Sequence, residues 1–137
     1  MNMVEANLRT LRIVHIALTV VVPMYAVAGE LVGPKEARDV TLFAAAFAVM
    51  AATTIGMAFY FRSARIQPAV EALRMKPTDA PSLEQWRAGS IVCFVLAEAV
   101  AVYGFVLRFL GSSLALAAPF YAVSFLLLLL WTPRRPE

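Results

Sequence analysis

The sequence predicts an all-α membrane protein with four transmembrane helices in up-down antiparallel order. Three observations predict it. First, the 137 residues are 61% hydrophobic and only 15% charged, against about 45–50% and about 25% in soluble domains. Second, the apolar residues gather in four runs, near 13–32, 40–61, 88–110 and 114–131. Each approaches the ~20 residues that cross a hydrocarbon core. Third, turn and charge signals separate the runs, and the length leaves room for one domain, 1–137.

The first run follows Arg9 and Arg12. Ala26-Val27-Ala28 resembles a cleavage site, but the run is longer than a signal-peptide core and reads as a retained span. Pro23 removes a backbone donor and is expected to bend it. His15 falls in the span's first turns, where a satisfied interfacial histidine is the simplest reading, ahead of a proton relay. Gly33 to Asp39 is a short polar loop. In the second run Ala44, Ala48, Ala52 and Gly56 recur every four residues, a small-residue stripe that lets membrane helices approach closely.

Arg62 to Arg87 (62–87) is the long polar connection, with Arg62, Arg65, Arg74, Lys76 and Arg87. Pro68 to Met75 predicts a short amphipathic helix with Val70 and Leu73 on one side. Ser82-Leu83-Glu84-Gln85 fits a capping box, placing the next helix start at Ser82. The third run carries its own stripe, Gly89, Cys93, Ala97 and Ala101, so the second and third helices are expected to form a tight hairpin through facing stripes. Gly111-Ser112-Ser113 is a minimal turn into a leucine-rich fourth run suited to lipid contact.

Charge sets the topology. The N-terminus, the long connection and the tail hold two, five and two Lys/Arg, whereas Lys35 and Arg38 of the first loop are offset by Glu30, Glu36 and Asp39. The positive-inside rule then places both termini and 62–87 in the cytoplasm, as in a bacterial inner membrane, with Trp86 and Trp131 at the inner interface. The net charge of +3 contains no basic run longer than Arg134-Arg135, so it reports topology and not nucleic-acid binding. A single cysteine, Cys93, and a single histidine, His15, exclude an intrachain disulfide and a histidine-based metal site. No nucleophile–base pair, phosphate-cradling glycine loop or metal-ligand spacing is visible. Neither catalysis nor a cofactor is expected.

Glu98 is the exception in this apolar chain. From Ile91 to Leu110 the other charge is Arg108. An ionised group at bilayer depth costs about 2.5–3.5 kcal/mol on insertion scales and marks a functional site by default. Measured along antiparallel helices, Glu98 lies roughly 16 Å beyond Arg87 and Thr53 and Thr54 roughly 12–14 Å from Arg62, so a threonine hydroxyl is a candidate partner. Arg108 is about 15 Å along the axis from Glu98 and is expected to snorkel to the outer interface.

Two short motifs flank this region: Arg65-Ile66-Gln67-Pro68, and Glu98-Ala99 followed by Tyr103-Gly104. On these residues Gly56 to Leu110 resembles the hairpin of rotary ATP synthase subunit c. The resemblance implies that Glu98 carries the transported ion with Tyr103 and Gly104 as motif neighbours, that Arg65, Gln67 and Pro68 make loop contacts, and that hairpins assemble into a homo-oligomeric ring. Ala99 stands where sodium-binding members carry a hydroxyl, which favours a proton. The first and fourth spans have no counterpart in a two-helix subunit, and the second span has alanines where that family has a dense glycine repeat. Two other readings fit the residues. One is a structural or accessory subunit of a larger membrane complex, with Glu98 as a hydrogen-bonded packing residue. The other is a small proton-coupled transporter. All three share the lipid bilayer as partner.

Overall fold

The computed structural model describes residues 2–34 and 36–136. Lys35, counted above with the first loop, lies outside the described residues. The described chain is all-helical, and three of its helices are long and apolar enough to cross a membrane. Helix α1 spans Met3–Val32, α2 Thr41–Phe61, α3 Gln67–Met75, α4 Ala80–Phe109 and α5 Leu114–Leu130. The 17 residues of α5 extend about 25 Å, at the short limit for a span.

The boundaries follow from local chemistry. Helix α1 starts ten residues ahead of the expected span, at Met3, because Asn2 and Glu5 form a capping box over the basic N-terminal segment. It runs through Pro23 as one helix. The connection 62–87 is mostly helical, not an extended loop. Pro68 lacks an N–H, and its ring would collide with the Ala64 carbonyl of a regular helix. Arg62–Ile66 instead takes π-helical spacing, with the Gln67 N–H donating to the Arg62 carbonyl, and α2 passes into α3 without a break. The short helix expected at Pro68 to Met75 is present as α3, with Ala69 and Leu73 buried.

The chain turns at Lys76–Asp79, and α4 begins two residues before the expected Ser82. Asp79 is its cap. Its carboxylate accepts the Ser82 N–H at 3.2 Å and the Ser82 hydroxyl at 2.5 Å. These bonds hold the Asp79 carboxyl below the usual carboxylate range, the hydroxyl contributing most. Ser82 thus donates to a cap and is not itself one. At the other end, Gly111 adopts φ +105°, its N–H donates to the Arg108 carbonyl, and the Ser112 N–H donates to the Leu107 carbonyl. This is a Schellman ending, whose left-handed residue favours glycine. Ser113 then caps α5 through the Leu116 N–H.

Helix α4 is the hub. Helices α1, α2 and α5 each pack on it, and α1 also packs on α5. The stripe on α4 explains how: Cys93, Ala97 and Ala101 are fully buried. The Cys93 thiol donates to the Ala58 carbonyl of α2 at 3.4 Å, and Gly89 lies against Ile66 of the π turn. Gly104, outside that stripe, allows the closest approach. A Cβ there would sit 2.8 Å from Phe120 Cβ and 3.1 Å from the Ala117 carbonyl oxygen.

The second stripe does not face α4. Ala44 is half-buried and Ala48, Ala52 and Gly56 are exposed, while the residues α2 buries are Ala51 and Ala58. Ala44, Ala48 and Ala52 border an open apolar groove between α2 and α5 that also reaches Val100 and Pro119. The expected contact of two facing stripes is replaced by one stripe, on α4, meeting larger neighbours.

Candidate functional site

Glu98 stands half-buried on the side of α4 that meets α1. Its partner is Tyr25, whose hydroxyl donates to Glu98 Oε1 at 3.2 Å. The Tyr25 ring is held by Phe105, about two turns beyond Glu98 along α4, at a centroid separation of 5.6 Å. The hydroxyl is therefore aimed by ring packing. Glu98 takes part in neither of the two ion pairs among the described residues.

The expected threonine partners lie elsewhere. Thr53 is exposed and its hydroxyl donates to the Val49 carbonyl at 2.9 Å. Thr54 donates to the Met50 carbonyl at 2.8 Å. Both satisfy carbonyls of their own helix, the usual recourse of a hydroxyl in an apolar helix. Thr54 also meets the Tyr103 hydroxyl at 3.0 Å. With the Thr54 proton committed to Met50, Tyr103 is the donor. Phe47 stacks on the Tyr103 ring at 5.8 Å, so Tyr103 belongs to the α2–α4 contact. Gly104 belongs to the α4–α5 contact. The five candidate ion-site residues thus split three ways around α4: Glu98 toward α1, Tyr103 and Thr54 together, and Gly104 toward α5, with Thr53 outside.

Arg65, Gln67 and Pro68 sit in the π turn and the start of α3, within the continuous Thr41–Met75 helix, and all three side chains are exposed. They lie a full α3 length before the turn that reverses the chain.

Two further polar contacts were not foreseen. Arg108 does not snorkel alone. Its guanidinium forks onto Glu30 of α1, with Nε at 2.6 Å and Nη2 at 3.2 Å from the two carboxylate oxygens, and Nη1 donates to the Ser112 carbonyl at 2.7 Å. The pair ties the C-terminal ends of α1 and α4 together, and Arg38 donates its backbone N–H to the Gly111 carbonyl beside it. His15 is buried within the bundle, and its Nε2 lies 2.5 Å from the Leu128 carbonyl oxygen of α5. That carbonyl is in the last turn of α5, where no main-chain donor follows. The imidazole supplies it, with Phe94 edge-on at 5.2 Å. His15 is thus a structural cap in place.

Tyr25 is the site residue that the sequence reading missed. The usable signal was the pairing of Glu30 with Arg108: once those ends are joined, α1 and α4 run side by side, and Tyr25 is the hydroxyl of α1 that approaches Glu98. Among the described residues no three His, Cys, Asp or Glu side chains come together as metal ligands would. No protein-family model, no curated protein and no solved structure matches the chain.

Proposed function

We propose that this chain is an integral membrane protein of four spans alternating in direction, with both termini on the cytoplasmic side, whose Glu98 reversibly binds a proton. The observation that carries the reading is the Tyr25–Glu98 hydrogen bond at 3.2 Å, a polar contact between apolar stretches of two long helices. A carboxyl group at that depth has to be protonated or partnered to be tolerated. Tyr25 offers one hydrogen bond, enough to orient the group but not to fix its charge. Placement of both termini on one side is supported by the basic residues. Arg9 and Arg12 share a cleft with Arg135, and Arg134 and Arg135 share another with Arg62 and Arg74. The three arginine-bearing regions thus converge on one end of the bundle, as the positive-inside rule requires of one membrane side.

The likeness of Glu98-Ala99 and Tyr103-Gly104 to subunit c suggests the further reading that the chain assembles with copies of itself, in the manner of a ring. The stripe on α2, with Ala48, Ala52 and Gly56 exposed and Ala44 half-buried, supplies a surface on which a neighbouring helix can come close. Labelling by a hydrophobic carbodiimide tests the proton site. Glu98 should react most at acidic pH and progressively less as it ionises, and Glu98→Gln should abolish the adduct. A folded sample in which Glu98 never reacts would overturn the proposal. In that event Glu98 is a packing residue, as in an accessory subunit, and Glu98→Gln leaves assembly intact.

A further inference from the structure

At the end of the bundle where the arginines gather, a cleft of about 410 Å³ opens between the π turn and α3, the start of α4, and the tail after α5. Arg62, Arg74, Arg134 and Arg135 line it, together with Trp86 and Trp131. No acidic residue is among the described residues that line it. The two ion pairs among the described residues, Arg87–Glu84 and Arg108–Glu30, involve none of the four arginines. Arg62 is half-buried and its guanidinium lies 5.7 Å from the centre of the Trp131 ring. That stacking holds the planar group in one orientation while leaving its donor edge free. Both tryptophans are buried and give the cleft a rigid apolar floor.

We infer that this cleft is a binding site for a phosphate group, and that its occupant is the headgroup of an anionic phospholipid. Four guanidinium groups, two from the continuous α2–α3 helix and two from the tail, converge on a cleft with no acidic side chain among its described lining residues. Each presents a donor fork that matches two phosphate oxygens, a geometry that a lysine ammonium lacks. The position selects the lipid. The cleft lies where the apolar runs of α2 and α5 end, so an acyl chain can lie along those helices while the phosphate enters among the arginines. Basic pockets between helices at the cytoplasmic face bind anionic headgroups in this way. The tail, which makes no helix after Leu130, gains its anchor from the same ligand, since Arg134 and Arg135 reach the phosphate that Arg62 and Arg74 reach from the other side.

The test uses the full chain reconstituted in nanodiscs of phosphatidylcholine and phosphatidylglycerol in equal parts, with co-purifying lipid measured by native mass spectrometry. Phosphatidylglycerol should be retained in preference to phosphatidylcholine. The double variant Arg134→Gln/Arg135→Gln alters only the tail and leaves every helix untouched. It should reduce that retention by at least about fivefold, the effect of one basic contact at a charged membrane surface. Arg62→Gln should do the same, and where that variant does not fold the tail variant decides. Arg87→Gln removes an equal charge outside the cleft and should leave retention unchanged. Equal retention of the two lipids, or an equal loss in Arg87→Gln, would overturn the site. Displacement by inorganic phosphate in detergent, with no preference between lipids, would assign the cleft to a soluble phosphate ester and overturn the lipid as occupant.

Discussion

Two stripes of small residues, each spaced by four, have opposite fates in this molecule. On α4, Gly89, Cys93, Ala97 and Ala101 are all buried, and 44% of the helix's most apolar stretch is enclosed. On α2, Ala48, Ala52 and Gly56 are exposed, and 11% of the corresponding stretch is enclosed. Spacing alone states that a helix has a narrow face. What covers that face depends on the neighbours, and α4 has three while α2 has one. Close packing of backbones is what holds membrane helices together, since lipid is as apolar as leucine. The α1–α4–α5 side is therefore the more enclosed part of the molecule, while α2 packs mainly on α4, through Ala58 against Cys93 and through Thr54 and Phe47 against Tyr103, with Phe59 against Trp131 of the tail.

Glycine substitutions should break this comparison most sharply. In Gly104→Val the added atoms would meet Phe120 and the Ala117 carbonyl, which are backbone and near-backbone and cannot give way. Helices α4 and α5 must separate, at a cost of about 1–3 kcal/mol. In Gly56→Ala the new methyl meets nothing within 4 Å, and the change should be neutral or stabilising by up to about 1 kcal/mol. Steric trapping or denaturant titration in detergent would measure both. Equal losses would show that the α2 stripe is covered in the monomer after all.

The next effect concerns His15. In His15→Phe the imidazole donor disappears and the Leu128 carbonyl is left buried without a partner, which should cost about 1–3 kcal/mol. The loss should appear as weakened α1–α5 packing, read by amide exchange in the last turn of α5, while α2 exchanges as before. An undisturbed α5 terminus would mean that the histidine is dispensable as a cap. A smaller and more selective effect is expected for Ala52→Leu. Its side chain points into the open groove, so monomer stability should stay within about 0.5 kcal/mol. If copies of the chain meet through that stripe, the same variant should shift a crosslinked oligomer to monomer.

Much of the fold was legible because its signals are local. Gly111-Ser112-Ser113 reads as a minimal turn, and a turn is found there, with Gly111 at φ +105°. The amphipathic pattern of Pro68 to Met75 is found as α3. Where two residues compete for one local role, the sequence misleads: Asp79 and Ser82 both suit a cap, and Asp79 holds it because its carboxylate accepts both Ser82 donors. The candidate site was legible as depth and not as direction. Glu98, Thr53 and Thr54 do lie near one level, but a rise per residue says nothing about which face turns toward which neighbour. Tyr25 was invisible because a tyrosine in an apolar run has no distinguishing pattern. It acquires meaning only from the long-range pairing of Glu30 with Arg108, which no local rule supplies.

The smallest predicted effect tests whether α2 depends on its end connection. The Asp79 carboxyl is held below its ordinary value of 3.8 by the two Ser82 bonds. A carboxylate depressed by folding stabilises the folded state fully above its unfolded value, and that contribution is lost as pH falls through the folded value. The cap should therefore be intact at neutral pH and fail only below about pH 4. Protonation removes the charge that strengthens both Ser82 bonds at the start of α4, so the α3–α4 turn should loosen first. Because α3 joins that turn and continues the helix of α2, the disturbance should spread into Arg62–Met75 and leave α1 and α5 as they were. Amide exchange at the Ser82 N–H, corrected for the intrinsic effect of pH, should rise in acid in the native chain. In Asp79→Asn, which keeps an acceptor that does not titrate, that rise should vanish. A rise of the same size in Asp79→Asn would mean that another group governs the turn. Loosening of α5 in step with α3 would mean that the two sides of α4 are held equally.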